Sequence, residues 1–173
     1  HNVDARGDDR RRWSARFSTP FFLALLGGLL MWAALPPWRL SPLAWFAPLP
    51  WLILIRRDQL GRRAYWGIWA ASAVHWMFVM QGIRLAHWAN YFGLLALASY
   101  LGVYLPAFVA ISRQAVHRLR VPLMVTAPVV WMGVEVAHSY GPLGFSMGLP
   151  AHTQTPWLAV IQISDIRSEE RRV

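Results

Sequence analysis

Long uncharged stretches alternate with short arginine clusters along this chain. Residues 17–38 hold no Asp, Glu, Lys or Arg, and 21–35 are their apolar centre. Further uncharged stretches cover 40–55, 64–83, 85–112 and 121–134, and a sixth apolar run begins at Trp157 and is cut off after Ile166. Apolar runs of this length predict helices that cross a bilayer. The expected spans lie near 17–35, 43–55, 64–82, 91–111 and 122–137, with an incomplete one at 157–166. The predicted fold class is therefore all-α: a polytopic transmembrane helical bundle of about five to six spans. The second is the weakest. Pro42, Pro48 and Pro50 interrupt it, and as a helix its 40–55 stretch would reach roughly 24 Å against a hydrocarbon core of about 30 Å. It is either a thin or broken crossing or a re-entrant segment.

Composition sharpens this picture. Hydrophobic residues make up 56% of the 173 and charged residues only 14%. That excludes a disordered chain, and it exceeds what a soluble domain of this size can bury. The net charge of +9 would suit a nucleic-acid binder, but its placement does not. Every basic residue other than histidine is arginine. Arg6, Arg10, Arg11, Arg12 and Arg16 precede the first span. Arg56, Arg57, Arg62 and Arg63 separate the second and third, and Arg113, Arg118 and Arg120 the fourth and fifth. The alternate loops carry Arg39, Arg84 and none over 138–156. The positive-inside rule then predicts a cytoplasmic N-terminus, with 36–42, 82–90 and 138–156 facing outward. Topology and anionic lipid account for the charge, and no nucleic-acid partner is expected. Trp13, Trp38, Trp45, Trp51, Trp66, Trp88 and Trp157 fall near span ends, where an interfacial belt explains most of them.

The chain opens on His1, so a fragment is expected. Residues 1–16 are expected to form a disordered cytoplasmic arm, 17–166 the transmembrane domain, and 167–173 an aberrant polar tail.

One carboxylate, Glu135, falls within the apolar part of the five spans. On a helix Trp131, Glu135 and His138 share a face at i, i+4 and i+7. An ionisable group at membrane depth is costly and is a functional candidate for that reason. The bland reading is that Glu135 sits near the outer end of its span and pairs with His138 or an arginine. The Gly- and Pro-rich outer loop carries Phe145, Met147, His152 and Gln154, and its length suits a surface for lipid. His75 and Trp76 are mid-span. No second ligand lies one helical turn from His75, so no metal site is expected, and no cofactor motif is present. His87 and His117 are placed in loops without a partner. Gly27 and Gly28 would let two helices approach closely.

Four stretches resemble one family. LPPWRLSPLAWFAPLPWLILI (35–55) is similar to a Pro-containing link into a Pro-bearing second span. GIWAASAVHWMFVMQGI (67–83) is similar to a Gly-rich third span, and APVVWMGVEVAHSY (127–140) to a W-x-x-x-E-x-x-R segment. GPLGFSMGLPAHTQTPWLAVIQISDI (141–166) is similar to a G-F-P-W loop followed by a span. In order and spacing these resemble the N-terminal membrane domain of apolipoprotein N-acyltransferases. Two departures stand out: His138 occupies the position of the family's arginine, and G-F-P-W reads Gly144-Phe145-Ser146-Met147.

The resemblance implies an acyltransferase of the bacterial inner membrane that matures lipoproteins. A phospholipid acyl chain passes, by way of a Cys thioester, to the amino group of a diacylglyceryl-cysteine. The Cys and its Lys and Glu partners sit in a nitrilase-like periplasmic domain. This chain has neither Cys nor Lys, so by resemblance it holds no catalytic residue and is expected to be inactive alone. Its expected partners are membrane lipid, a phospholipid acyl donor and a lipoprotein acceptor. The expected vestibule residues are Glu135, Trp131, His138, Phe145, Gln154 and Trp76. The alternative is a small transporter or channel subunit with Glu135 in its pathway.

Overall fold

The computed structural model describes residues 3–85, 87–141, 144 and 153, with side chains from position 19 onward except at 84. Phe145, Gln154, the 157–166 stretch and the 167–173 tail lie outside the described residues. Among the described residues every regular element is a helix.

Helix α1 runs Val3–Ala34. It thus begins inside the stretch expected to be disordered. No glycine or proline stands between Asp8 and Thr19 to end it, so the helix of the apolar span continues backward into the polar arm. From Ala24 onward its buried positions, Ala24, Gly27, Gly28, Met31 and Ala34, recur at i, i+3, i+4, i+7 and i+10. Phe22, Leu26 and Leu29 point out instead. Over 21–34 the helix is thus apolar all round, with its small residues turned inward.

The short second stretch is broken into α2 (Leu43–Phe46) and α3 (Leu49–Arg56). Pro42 and Pro48 sit at the two N-caps and Pro50 in the first turn of α3. A proline there forfeits only an N–H that a helix start leaves unpaired anyway. Helix α4 (Arg62–Val79) buries Ala64, Gly67, Ile68, Ala71 and Ser72 and lies along α1. A 3-10 turn at Gln81–Leu85 follows that helix.

The predicted 91–111 span is two helices, α5 (Asn90–Leu101) and α6 (Tyr104–His117). They run on through Gly102 and Val103 as one stretch of 28 residues. A Cβ at Gly102 would come within 3.1 Å of the α4 backbone at Ala73, so the turn is set by close packing. This stretch is the one helix among the described residues that is long and apolar enough to cross a membrane. Helix α7 (Leu123–Tyr140) packs on α6, and α3 touches both α1 and α6. Trp51, Leu54, Ile55, Ile68, Phe108 and Val109 form the buried core where α3, α4 and α6 meet α1.

A cluster of bonds ties α3 to α6. The Arg113 guanidinium donates to the carbonyls of Leu54 (3.3 Å), Ile55 (3.4 Å) and Asp58 (3.2 Å), and also to that of Arg57. His117 Nε2 lies 2.9 Å from the Ile55 carbonyl. His117 therefore belongs to α6 and is partnered, contrary to its expected place in a loop. Helix spacing puts it one turn beyond Arg113, over the same carbonyls.

Candidate functional site

Helices α1, α3, α4, α6 and α7 surround a cavity of about 80 Å³. Ala24, Gly28 and Met31 line it from α1, and Ser72, His75 and Trp76 from α4. Tyr104 and Leu105 come from α6, Trp51 from α3, and Trp131, Val134, Glu135 and His138 from α7. The 3.6-residue period of α7 turns its last four to one side.

Glu135 is half-buried and accepts a 2.8 Å hydrogen bond at Oε1 from Trp131 Nε1. Its partner is thus the indole one turn before it, rather than the imidazole or guanidinium the bland reading names. Trp131 is held in turn. Its ring stacks on Trp51, with centroids 5.4 Å apart and planes 14° apart, and meets the edge of Phe108 at 5.0 Å. Trp51 donates to the Ala24 carbonyl at 3.2 Å. A Cβ at Gly27 would come within 2.3 Å of the Trp51 indole nitrogen, so only glycine leaves that ring its place. Trp51 is 4% exposed and is a core residue, not the interfacial anchor expected of it. Trp38, Trp45, Trp66 and Trp88 are indeed exposed. The aromatic pattern cannot separate the two cases, because only the glycine across the helix pair distinguishes them.

On the other wall His138 is buried between Trp76, 5.3 Å away, and Tyr104, 5.0 Å away. Tyr104 and Tyr100 share a 2.9 Å hydroxyl hydrogen bond. A Cβ at Gly28 would lie 3.1 Å from the His75 side chain, so the second glycine admits an imidazole as the first admits an indole.

Four of the sequence-predicted residues, Trp76, Trp131, Glu135 and His138, therefore meet at one cavity. Phe145 and Gln154 lie outside the described residues. Sequence reasoning missed Trp51, Ser72 and Tyr104, and it gave His75 no role. The Gly27-Gly28 pair was the available signal for Trp51 and His75. Among the described residues no group of three His, Cys, Asp or Glu could hold a metal ion.

A family profile described as the apolipoprotein N-acyltransferase N-terminal domain matches residues 27–169. The chain belongs to the apolipoprotein N-acyltransferase family. Three curated relatives carry the name apolipoprotein N-acyltransferase. That of Rhodopirellula baltica is 29% identical over 90% of this chain and 28% of its own length. That of Geobacter metallireducens is 30% identical over 84% of this chain and 29% of its own. That of Chlorobaculum tepidum is 27% identical over 92% and 30%. The chain thus spans less than a third of the length of these apolipoprotein N-acyltransferases. No solved structure matches it significantly.

Proposed function

We propose that this chain is the membrane platform of an apolipoprotein N-acyltransferase, and that the Glu135 cavity belongs to the vestibule through which lipid substrates reach the reaction centre. Family membership supports N-acylation of an apolipoprotein as the reaction class, and the resemblance implies a phospholipid acyl donor and the bacterial inner membrane. These 173 residues include no Cys and no Lys. The Cys and Lys that the resemblance implies for covalent acyl transfer would therefore belong to sequence beyond them.

The observation that carries this reading is the gathering of Trp76, Trp131, Glu135 and His138 around one cavity. A carboxylate inside an apolar bundle is expensive to keep, and here Trp131 bonds it while Trp51 and Phe108 pack the Trp131 ring. The six proposed vestibule residues include Phe145 and Gln154 of the outer loop. The transporter alternative would use the same carboxylate, but the family match does not favour it.

The test is complementation of a strain depleted of its own N-acyltransferase. Glu135→Ala in the complete enzyme is expected to lower lipoprotein N-acylation about tenfold, on the order of one buried charged contact. Gln114→Ala, on an exposed position of α6, is expected to leave it unchanged. Equal activity of the two variants would remove Glu135 from the vestibule. Residues 1–173 expressed alone are expected not to rescue the strain, and rescue would overturn the platform reading.

A further inference from the structure

A second recess lies between α4 and the junction of α5 with α6, and it shares no residue with the Glu135 cavity. Helix α4 contributes Arg62, Tyr65, Trp66 and Trp69. These stand at i, i+3, i+4 and i+7 and so form one stripe along the helix. Ser99, Tyr100 and Val103 make the facing wall. The recess has a volume of about 500 Å³, within the range of ligand sites. It is an open groove, with Trp66 and Val103 both more than half exposed.

The turn at Gly102 shapes this groove. The Val103 N–H bonds the Tyr100 carbonyl, whereas a continuous α-helix would pair it with the carbonyl of Ser99. Trp69 Nε1 donates to the Ser99 carbonyl at 3.0 Å. Its indole is thereby fixed and its N–H satisfied by the protein. Trp66 meets the edge of that ring, with centroids 5.5 Å apart and planes 88° apart. From Arg62 to Trp69 the stripe rises roughly 10 Å, about a third of a hydrocarbon core of about 30 Å. A guanidinium thus stands at one end of the groove and indole rings at the other.

Charge at the Arg62 end is unbalanced. The Arg113 and His117 bonds to residues 55–58 gather Arg56, Arg57, Arg62 and Arg63 with Arg113, Arg118 and Arg120. Among the described side chains, Asp58 is the one carboxylate at that end. No acidic residue stands in the first turn of α4, where the helix dipole disfavours a cation. A phosphate matches the planar fork of a guanidinium. An anionic headgroup lowers the excess of positive charge, while a zwitterionic one brings its own cation.

We propose that the groove between α4 and α5 seats one anionic phospholipid on the arginine-rich side of the bilayer, its phosphate at Arg62 and an acyl chain against Trp66 and Trp69. This lipid is a fixed ligand of the bundle and not a reactant. The site does not depend on the vestibule reading.

The intact 173-residue chain in maltoside micelles provides the test, through quenching of tryptophan fluorescence by phospholipids brominated midway along their chains. Brominated phosphatidylglycerol is expected to quench saturably, at about tenfold lower concentration than brominated phosphatidylcholine, the worth of one charge-assisted contact. Trp66→Phe is expected to shrink the saturable quenching. Arg62→Gln is expected to erase the preference between the two lipids. Arg118→Gln, on an exposed arginine outside the groove, is expected to keep it. Loss of the preference in both variants, or in neither, would reduce it to general attraction by the arginine-rich end and overturn the site. Equal quenching by the two lipids on the unaltered chain would overturn it too. Inorganic phosphate is expected not to compete, and competition would assign Arg62 to a free anion rather than a lipid. Val103→Phe narrows the groove without altering charge and is expected to weaken both lipids; unchanged quenching would remove the acyl chain from the groove. Should Arg62→Gln fail to fold, Val103→Phe and the lipid ratio on the unaltered chain still decide.

Discussion

At the scale of single residues, two adjacent glycines on α1 set the cavity's shape. Gly27→Ala would place a methyl 2.3 Å from the Trp51 indole nitrogen. The ring has to leave, and with it go the Ala24 hydrogen bond and the stack on Trp131. Overpacking of this kind costs about 1–3 kcal/mol. Thermal unfolding in detergent, followed by circular dichroism, is expected to show the loss. Gly133→Ala on α7 is the opposite case. Nothing lies within 4 Å of its Cβ, so the gain in helix propensity, up to about 1 kcal/mol, is expected to raise the midpoint. Equal shifts for the two variants would mean that Trp51 is not seated against α1. Trp131→Phe keeps an aromatic ring, though a smaller one, and removes the donor to Glu135. That leaves a carboxylate unsatisfied, at about 1–3 kcal/mol, measurable in the same unfolding experiment. Of the site, Glu135, Trp131 and His138 were legible because helical spacing alone puts them on one face. Trp51 was not, because its place depends on a glycine 24 positions earlier that touches it only after folding.

At the scale of elements, α3 depends on α6. An eight-residue helix leaves its last carbonyls without partners, and is too short to persist by its own backbone bonds. Arg113 covers those carbonyls from α6, where its charge also complements the negative end of the helix dipole. Arg113→Ala is therefore expected to cost about 2–3 kcal/mol, the range for hydrogen bonds from a charged donor. Arg113→Lys is expected to recover only part, since an ammonium lacks the planar fork that reaches several carbonyls. Arg118→Ala, on an exposed residue, is expected to stay within about 0.5 kcal/mol of the parent. Urea unfolding in mixed micelles would separate these outcomes, and a neutral Arg113→Ala would disprove the clasp. The break between α2 and α3 was visible in Pro48 and Pro50, because proline acts locally. The turn at Gly102 was not, because contact with α4 imposes it on an otherwise continuous apolar run. Backward extension of α1 was missed for a related reason: polar composition signals solvent exposure, which a helix also tolerates.

At the scale of the whole molecule, the exposed surface bears on how the chain sits in a membrane. Phe22 on α1, Trp45 on α2, Phe92 on α5, and Met124 and Val129 on α7 are all more than 60% exposed. Large apolar side chains this numerous are costly against water and cost nothing against lipid tails. The Arg113 and His117 bonds to residues 55–58 also bring the 56–63 arginines and the 113–120 arginines to one end of the bundle. An odd number of crossings between those loops would separate them. The two crossings expected from the sequence, by α4 and by α5 with α6, would keep them together, as the alternation of charge predicts. The chain contains no cysteine, so each introduced cysteine is its only thiol. Gln59→Cys and Leu119→Cys, both on exposed residues, are expected to resist a membrane-impermeant maleimide in intact spheroplasts and to react once the membrane is opened. Ala89→Cys, beyond the 3-10 turn and also exposed, is expected to react in both. If Gln59→Cys and Leu119→Cys label from opposite sides, the crossings between them are miscounted. If both label from outside while Ala89→Cys is protected, the count stands but the orientation reverses, and the arginine clusters then face the side that the positive-inside rule forbids.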